Sequence, residues 1–169
     1  MPSAARRARP APAIDILVGS PLWHAEPDAA AVLRRAIGEA AATAGAPARP
    51  AELAILLCDD QAMRELNGRW RGRAEPTNVL SFPPAGAAAP GAARLGDIAI
   101  AFETTAREAE AEGKRFGDHL AHLAVHGFLH LLGYDHQSDD EADAMERLEH
   151  IALARLDIAD PYAVRDTAT

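Results

Sequence analysis

The 169-residue sequence contains only one cysteine, Cys58. One thiol cannot form an intramolecular disulfide, so the fold must hold without such cross-links. A metal site in this chain must likewise be built from histidine, alone or together with carboxylate. The scarcity of cysteine fits a reducing compartment, and we expect the protein to be cytoplasmic.

Long apolar runs are also missing from the sequence. No segment approaches the ~20 consecutive apolar residues that a transmembrane helix requires. Arg6 and Arg7 resemble the start of a twin-arginine signal, but Arg9, Pro10 and Pro12 interrupt any apolar stretch after them. We therefore expect neither a membrane segment nor a signal peptide.

Positive charge is scarce relative to negative charge. The chain has 17 Lys and Arg residues against 25 Asp and Glu residues, and its formal net charge is −8. Because phosphate binding needs cations, this balance argues mildly against a nucleic-acid partner. Net charge does not describe the local field, however. Acidic residues concentrate in the C-terminal third, whereas the middle of the chain carries a basic cluster formed by Arg64, Arg69, Arg71 and Arg73.

Apolar periodicity and turn residues divide the chain into four short strands and about five helices. Strands are predicted at residues 14–18, 51–58, 79–82 and 95–101. Helices are predicted at residues 28–43, 59–71, 104–113, 116–132 and 138–156. This alternation favours an α/β fold, a single-domain sandwich with a small mixed four-stranded sheet.

The predicted domain covers residues 13–160, between a disordered N-terminal tail at 1–12 and a C-terminal tail at 161–169. The Ala-, Gly- and Pro-rich stretch 83–93 is expected to form a flexible loop. On the second predicted helix, the inward-facing side chains are expected to be Met63, Leu66 and Trp70.

Three histidines near residue 130 form the most informative pattern in the chain. His126 and His130 are four residues apart, so a helix places both on one face. Gly133 suits the left-handed conformation that ends helices, and the chain can then bring His136 back to the same ion. Three imidazoles fit zinc and leave a fourth position for water. The spacing therefore predicts a catalytic site for one zinc ion per chain.

The same spacing matches the metzincin protease pattern H-E-x-x-H-x-x-G-x-x-H at every position but one. The glutamate that serves as the general base in those proteases is Gly127 here, and glycine cannot accept a proton. A metalloprotease is thus an alternative that lacks its base. His119 and His122 share the histidine face of the helix, but they are expected to be core or capping residues.

Three segments together resemble one protein family. Residues 66–71 contain Leu-Asn and Trp-Arg, and residues 76–83 read P-T-N-V-L-S-F-P. Residues 95–98 read L-G-D-I, and residues 126–136 read H-G-F-L-H-L-L-G-Y-D-H. In this order and spacing, the chain from about residue 51 to 150 resembles the YbeY family of bacterial metal-dependent endoribonucleases.

The resemblance implies a zinc-dependent hydrolase that cleaves single-stranded RNA, with His126, His130 and His136 as the zinc ligands. It also implies a role in 16S rRNA 3′-end maturation and ribosome quality control, and a functionally important Arg71. The expected partners are 16S rRNA and the ribosome or small-subunit proteins, with no membrane and no DNA. Arg71 is a candidate for binding phosphate, because a guanidinium grips phosphate through two parallel hydrogen bonds.

Several assignments stay open at this point. A non-catalytic ribosome assembly factor with a structural metal is a further alternative. Asn78 and Ser81 either hold the end of a strand or contact substrate. Asp97 is most simply a turn residue, and Asp135 either orients an imidazole or forms a turn. With glycine at position 127, the proton acceptor is a zinc hydroxide, an RNA group or another side chain.

Overall fold

The computed structural model describes residues 11–45, 51–72, 77–84 and 93–161. The strands are β1 (Ala13–Val18), β2 (Ala51–Cys58), β3 (Val79–Phe82) and β4 (Ala93–Ala101). The α-helices are α1 (Ala29–Ala44), α2 (Asp60–Arg71), α3 (Phe102–Ala111), α4 (Phe116–Leu131) and α5 (Asp139–Arg155). The described residues thus form the α/β domain with four strands and five helices that the sequence predicts.

Parts of the sequence prediction lie outside the described residues. These parts are residues 1–10 and 162–169 of the predicted tails, residues 85–92 of the predicted loop, and Arg73. The tails and the loop therefore stay predictions.

The four strands form one mixed sheet in the order β1-β2-β4-β3. β1, β2 and β4 are parallel, and β3 is an edge strand that pairs antiparallel with β4. Connections between parallel strands need a crossover, commonly a helix, and α1 and α2 occupy these places in the chain. The mixed sheet confirms the predicted fold class.

Strand β4 contains a bulge near the point where the end of β3 lies against it. The pairing with β2 shifts at Leu95, which has no partner between Arg94 and Gly96. Gly96 has a φ of 132°, and a Cβ on it would lie 2.2 Å from the carbonyl oxygen of Phe82. Only glycine fits such a close approach. The bulge therefore fixes how the end of β3 lies against β4.

The interpretation of Asp97 as a turn residue is wrong. Asp97 lies inside β4, where it is paired with Phe82, and its carboxylate accepts a hydrogen bond from Arg94 at 2.8 Å. In the sequence, the glycine before Asp97 is a local signal of a turn. In the structure, Gly96 has a positive φ and forms part of the bulge instead. Sequence alone does not separate these two uses of glycine.

Helix α4 runs through the middle of the domain and is mostly buried, as its sequence predicts. It packs against the sheet on one side and against α1, α3 and α5 on the others. The core where these elements meet is formed by Leu33, Ile37, Ile55, Ile98, Ile100, Leu120, Ala124 and Phe128. This packing makes α4 a rigid support for the side chains at its C-terminal end.

Candidate metal centre

Helix α4 ends at Leu131, and the chain reverses direction directly after it. Gly133 has a φ of 102°, in the left-handed region that favours glycine. The backbone N–H of Tyr134 donates to the carbonyl of Leu129 at 3.1 Å, which closes the end of the helix. The turn then carries His136 back toward the helix, as the position of Gly133 predicts.

The three histidines of the H-x3-H-x5-H pattern converge. One ring nitrogen from each of His126, His130 and His136 lies within 4.8 Å of the others. The Nε2 atoms of His126 and His130 are 3.0 Å apart, and the ring centre of His136 is 5.0 Å from each of the other two. Among the described residues, this is the one group of three potential ligands so close together.

The hydrogen bonds on the far sides of two rings indicate which nitrogens carry protons. Nδ1 of His130 lies 2.9 Å from the carbonyl oxygen of Tyr134, which can only accept, so Nδ1 donates. Nδ1 of His126 donates to Oε1 of Glu149 at 2.5 Å. When both rings are neutral, each has its single N–H at Nδ1, and the two Nε2 atoms present lone pairs toward each other. Burial, and then the neighbouring His126, lower the pKa of His130 and keep it neutral.

Two such lone pairs 3.0 Å apart require a shared cation between them, either a proton or a metal ion. Neutral imidazoles with outer hydrogen bonds to a carboxylate and a backbone carbonyl are also the usual ligands of zinc. The donor set therefore fits a metal ion, and His126, His130 and His136 are able to hold one.

Glu149 on α5 is a site residue that the sequence interpretation missed. Its side chain is fully buried, and its second oxygen lies 3.4 Å from Nε2 of His122. In the sequence it is one of several acidic residues in the C-terminal third. The available signal was its place on an apolar stripe, because the buried residues of α5 are Met145, Glu149, Ala152 and Leu153. A carboxylate on such a stripe needs a buried partner.

Gly127 faces the sheet. A Cβ at this position would lie 3.2 Å from Oγ of Ser81 and 3.3 Å from methyl groups of Val79 and Ile98. The carbonyl of Gly127 also accepts a hydrogen bond from the Ser81 hydroxyl at 2.9 Å. The position that carries the general base in metzincins is therefore filled by a helix–sheet contact in this protein.

An open cleft of about 650 Å³ connects the histidines with the basic end of α2. Its wall includes His126, His130 and His136 on one side, and Arg71 and residues of β3 on the other. Arg71 is the last residue of α2 and is exposed, and Gly72 ends the helix with a φ of 66°. The structure thus places the predicted arginine in the same cleft as the predicted metal ligands.

The polar residues near the cleft have structural partners. Asn78 donates its amide N–H to Glu108 at 2.9 Å, and its backbone carbonyl accepts from the N–H of Ala101 at 3.0 Å. The backbone N–H of His136 donates to the carboxylate of Asp135 at 2.7 Å. Asn78 and Ser81 therefore tie β3 to its neighbours, and Asp135 shapes the turn before His136.

The two remaining histidines of α4 do not join the cluster. His119 is buried, and its Nε2 lies 3.6 Å from the carboxylate of Glu108. Burial is the main reason that the pKa of His119 is lowered, against the opposing effect of Glu108. His122 lies against Glu149, which separates it from the cleft side of His126. Both residues belong to the packed part of the helix, as expected.

None of the helices in the described ranges is long and apolar enough to span a membrane.

The fold and the site define this molecule as a small α/β protein with a candidate tri-histidine metal centre at the end of a buried helix. The sequence model described as Endoribonuclease YbeY matches residues 24–157, which is more than half of the chain. The chain belongs to the YbeY family. The family match also covers the three segments on which the resemblance was based.

Two relatives that are similar in sequence agree with this assignment. The chain is 55% identical over 161 residues to the "Endoribonuclease YbeY" of Rhodopseudomonas palustris strain BisA53, and the alignment covers 93% of this chain and 94% of that protein. The protein of the same name from Bradyrhizobium diazoefficiens is 53% identical, with 91% and 87% covered. The chain also matches the solution structure of TM1509 from Thermotoga maritima. This match covers 89% of this chain and 99% of the TM1509 chain, with 22% identity and a TM-score of 0.46.

Proposed function

We propose that this protein is a zinc-dependent endoribonuclease that cleaves single-stranded RNA. We further propose that it acts in the cytoplasm, on 16S rRNA during 3′-end maturation and in ribosome quality control, together with the ribosome or small-subunit proteins. The observation that carries the proposal is the convergence of His126, His130 and His136 in a cleft that also contains Arg71. The endoribonuclease names of relatives at 53–55% identity support the substrate class.

The residues of the cleft suit phosphodiester hydrolysis. When bound, zinc supplies Lewis acidity toward a phosphoryl oxygen and a water of lowered pKa, about 7. Glu149 holds the proton on Nδ1 of His126, and the carbonyl of Tyr134 holds the proton on Nδ1 of His130. These two contacts fix the ring orientations, so that the Nε2 atoms of His126 and His130 face each other.

Arg71 provides the positive charge that neutral histidines lack. A phosphodiester in the cleft carries one negative charge, and a guanidinium is able to bind two of its oxygens at once. The alternative role of Arg71 is a favourable interaction with the C-terminal dipole of α2, where it is the last residue. Only the first role predicts a loss of cleavage when Arg71 is replaced.

The protease alternative is disfavoured by the environment of Gly127. Metzincins need a carboxylate at this position, whereas here the position contacts Ser81, Val79 and Ile98 of the sheet. We therefore expect no peptide hydrolysis.

The test offers zinc-loaded protein either single-stranded RNA or casein, with and without a chelator. The matched control is the double variant His126→Ala/His130→Ala, and elemental analysis of both proteins measures the metal. We expect one zinc per chain in the wild type, chelator-sensitive RNA cleavage, intact casein, and loss of zinc and cleavage in the double variant. One equivalent of zinc in the double variant would show that the ligand assignment is wrong. Zinc binding without RNA cleavage would instead favour a non-catalytic ribosome assembly factor.

A further inference from the structure

Trp70 is exposed, although its spacing from Met63 predicts an inward position. Its side chain is 65% exposed, the highest value among the large hydrophobic residues of the described chain. Met63 is fully buried, but Trp70 lies almost two turns further along α2, where its aromatic neighbour is the half-buried Phe82 at the end of edge strand β3. One phenyl ring, with its centre 5.5 Å away and tilted by 57°, cannot cover an indole.

The exposed indole and its aromatic neighbour are each adjacent in the chain to a residue of the metal cleft. Arg71, which follows it in the chain, lines the cleft, and so does Pro83, which follows Phe82. Arg69 and Arg71 are both exposed and flank Trp70 in the sequence. A large exposed apolar side chain therefore directly precedes Arg71, a residue that lines the proposed active site.

This combination has the chemistry of a single-stranded nucleic-acid contact. Unpaired bases stack on exposed aromatic side chains, while neighbouring arginines bind the phosphates. The flanking charges select this occupant, because the phosphates of an RNA strand complement Arg69 and Arg71 in a chain whose net charge is −8. A purely apolar partner surface would leave the two guanidinium groups without a counter-charge.

We propose that Trp70 is a stacking platform for an unpaired nucleobase of the RNA substrate, next to the phosphate bound by Arg71. This inference rests on the proposed function, since it assigns a subsite to the same cleft. It also supplies a reason for single-strand preference. A base inside a duplex is already stacked on both faces and must be extruded before it reaches Trp70. The platform accepts any base, because every base has a π-face.

Binding rather than cleavage provides the test. Full-length zinc-loaded protein is mixed with a short fluorescently labelled oligoadenylate, and anisotropy is recorded by stopped flow before cleavage proceeds. The second probe is an abasic oligomer of equal length, which carries the same phosphates without bases. For Trp70→Ala, we expect a roughly 5- to 100-fold higher Kd for oligoadenylate and an unchanged Kd for the abasic oligomer. Trp70→Phe should fall between Trp70→Ala and the wild type.

Intrinsic fluorescence gives an independent readout. The chain has two tryptophans, and Trp23 is buried, with its indole N–H bonded to the carbonyl of Cys58 at 2.9 Å. Quenching of the wild-type signal by oligoadenylate, but not by the abasic oligomer, therefore reports Trp70. The matched control is Leu22→Ala, which removes another exposed apolar side chain (41% exposed) and should bind both probes like the wild type.

The proposal is overturned if Trp70→Ala binds oligoadenylate like the wild type, or if it loses equal affinity for both probes. Failure of the proposed function looks different. In that case the wild type does not cleave RNA, but Trp70→Ala still raises the Kd for oligoadenylate and not the Kd for the abasic oligomer. Unchanged melting temperatures of the variants show that the comparison concerns folded protein.

Discussion

The carboxylate of Glu149 accepts a hydrogen bond from Nδ1 of His126 at 2.5 Å, although the two residues lie on different helices and Glu149 is fully buried. This contact joins α5 to the candidate metal centre. It orients the ring so that Nε2 faces Nε2 of His130 on the side of the cleft.

Replacement of Glu149 is expected to weaken zinc binding without removing a ligand. Glu149→Gln keeps an acceptor but loses the charge, so we expect about a 10-fold loss of zinc affinity, and about 100-fold for Glu149→Ala. Competition with a chromogenic chelator measures both values. The control is Asp143→Asn, an exposed acidic residue on the same helix. Wild-type affinity in Glu149→Ala would remove Glu149 from the metal centre.

Gly127→Glu is expected to destabilise the protein and not to create a protease. A Cβ would already lie 3.2–3.3 Å from Ser81, Ile98 and Val79, and a longer side chain must displace the sheet. We expect a loss of at least about 1–3 kcal/mol in the free energy of unfolding, measured by denaturant titration, and no casein cleavage. In contrast, Gly38→Glu on α1, where a Cβ meets nothing within 4 Å, should be neutral or stabilising. Chelator-sensitive peptide hydrolysis by Gly127→Glu would contradict this interpretation.

Arg71→Ala is expected to slow RNA cleavage by roughly 10²–10³, equivalent to about 2–4 kcal/mol of transition-state stabilisation. Arg71→Lys keeps the charge without the two-pronged geometry, so its rate should lie between those of the wild type and Arg71→Ala. Zinc content and melting temperature should not change, because the side chain is exposed. Arg64→Ala, exposed on the same helix, is the control at matched salt. Wild-type cleavage by Arg71→Ala would leave Arg71 with a role at the helix end only.

The contacts of Asp60 join α2 to α3, and we expect their contribution to stability to depend on pH. Its carboxylate accepts hydrogen bonds from Thr104 at 2.8 Å and from Arg107 at 2.8 Å. Burial opposes ionisation, but these bonds outweigh it and hold the pKa of Asp60 below its ordinary value of 3.8. A lowered pKa in the folded state means that the stabilisation is present above about pH 4 and is lost as the pH falls through the folded value.

The corresponding variant is Asp60→Asn, which should lose about 1–3 kcal/mol of stability at pH 7. The difference in the free energy of unfolding between this variant and the wild type should shrink as the pH falls below 4. At that pH the wild-type carboxylate becomes protonated and is uncharged, like the amide of the variant. Urea unfolding across this pH range measures the difference. Asp15→Asn, an exposed position on β1, should track the wild type at every pH. If the difference in the free energy of unfolding between Asp60→Asn and the wild type stays constant across this pH range, ionisation of Asp60 is not the source of the stabilisation.

The elements and the histidine cluster were predictable because their signals are local. Apolar periodicity defines the bounds of α4 to within a residue, and the spacing of His126, His130 and Gly133 fixes how the ligands meet. The strand order was not predictable, since the same alternation of helices and strands allows several sheets.

The remaining differences depend on contacts between distant segments. Glu149 meets His126 across 23 residues, and its carboxylate resembles its acidic neighbours unless its place on the apolar stripe is weighed. Trp70 follows the periodicity of α2 but lies where the sheet offers only one edge residue to cover it. The glycine at position 96 serves a bulge rather than a turn because Phe82 approaches it.

The three candidate ligands differ in how firmly the fold holds them. His126 and His130 are half-buried on a packed helix, whereas His136 is exposed and is carried by the turn after Gly133. For any ion bound here, we expect the two helical ligands, His126 and His130, to determine which metals fit. We expect the turn to control exchange, because His136 is the exposed ligand of the three and is held by this turn and not by a packed helix. A more rigid turn is therefore expected to slow the release of the ion, since less ordering is lost and regained at each binding event.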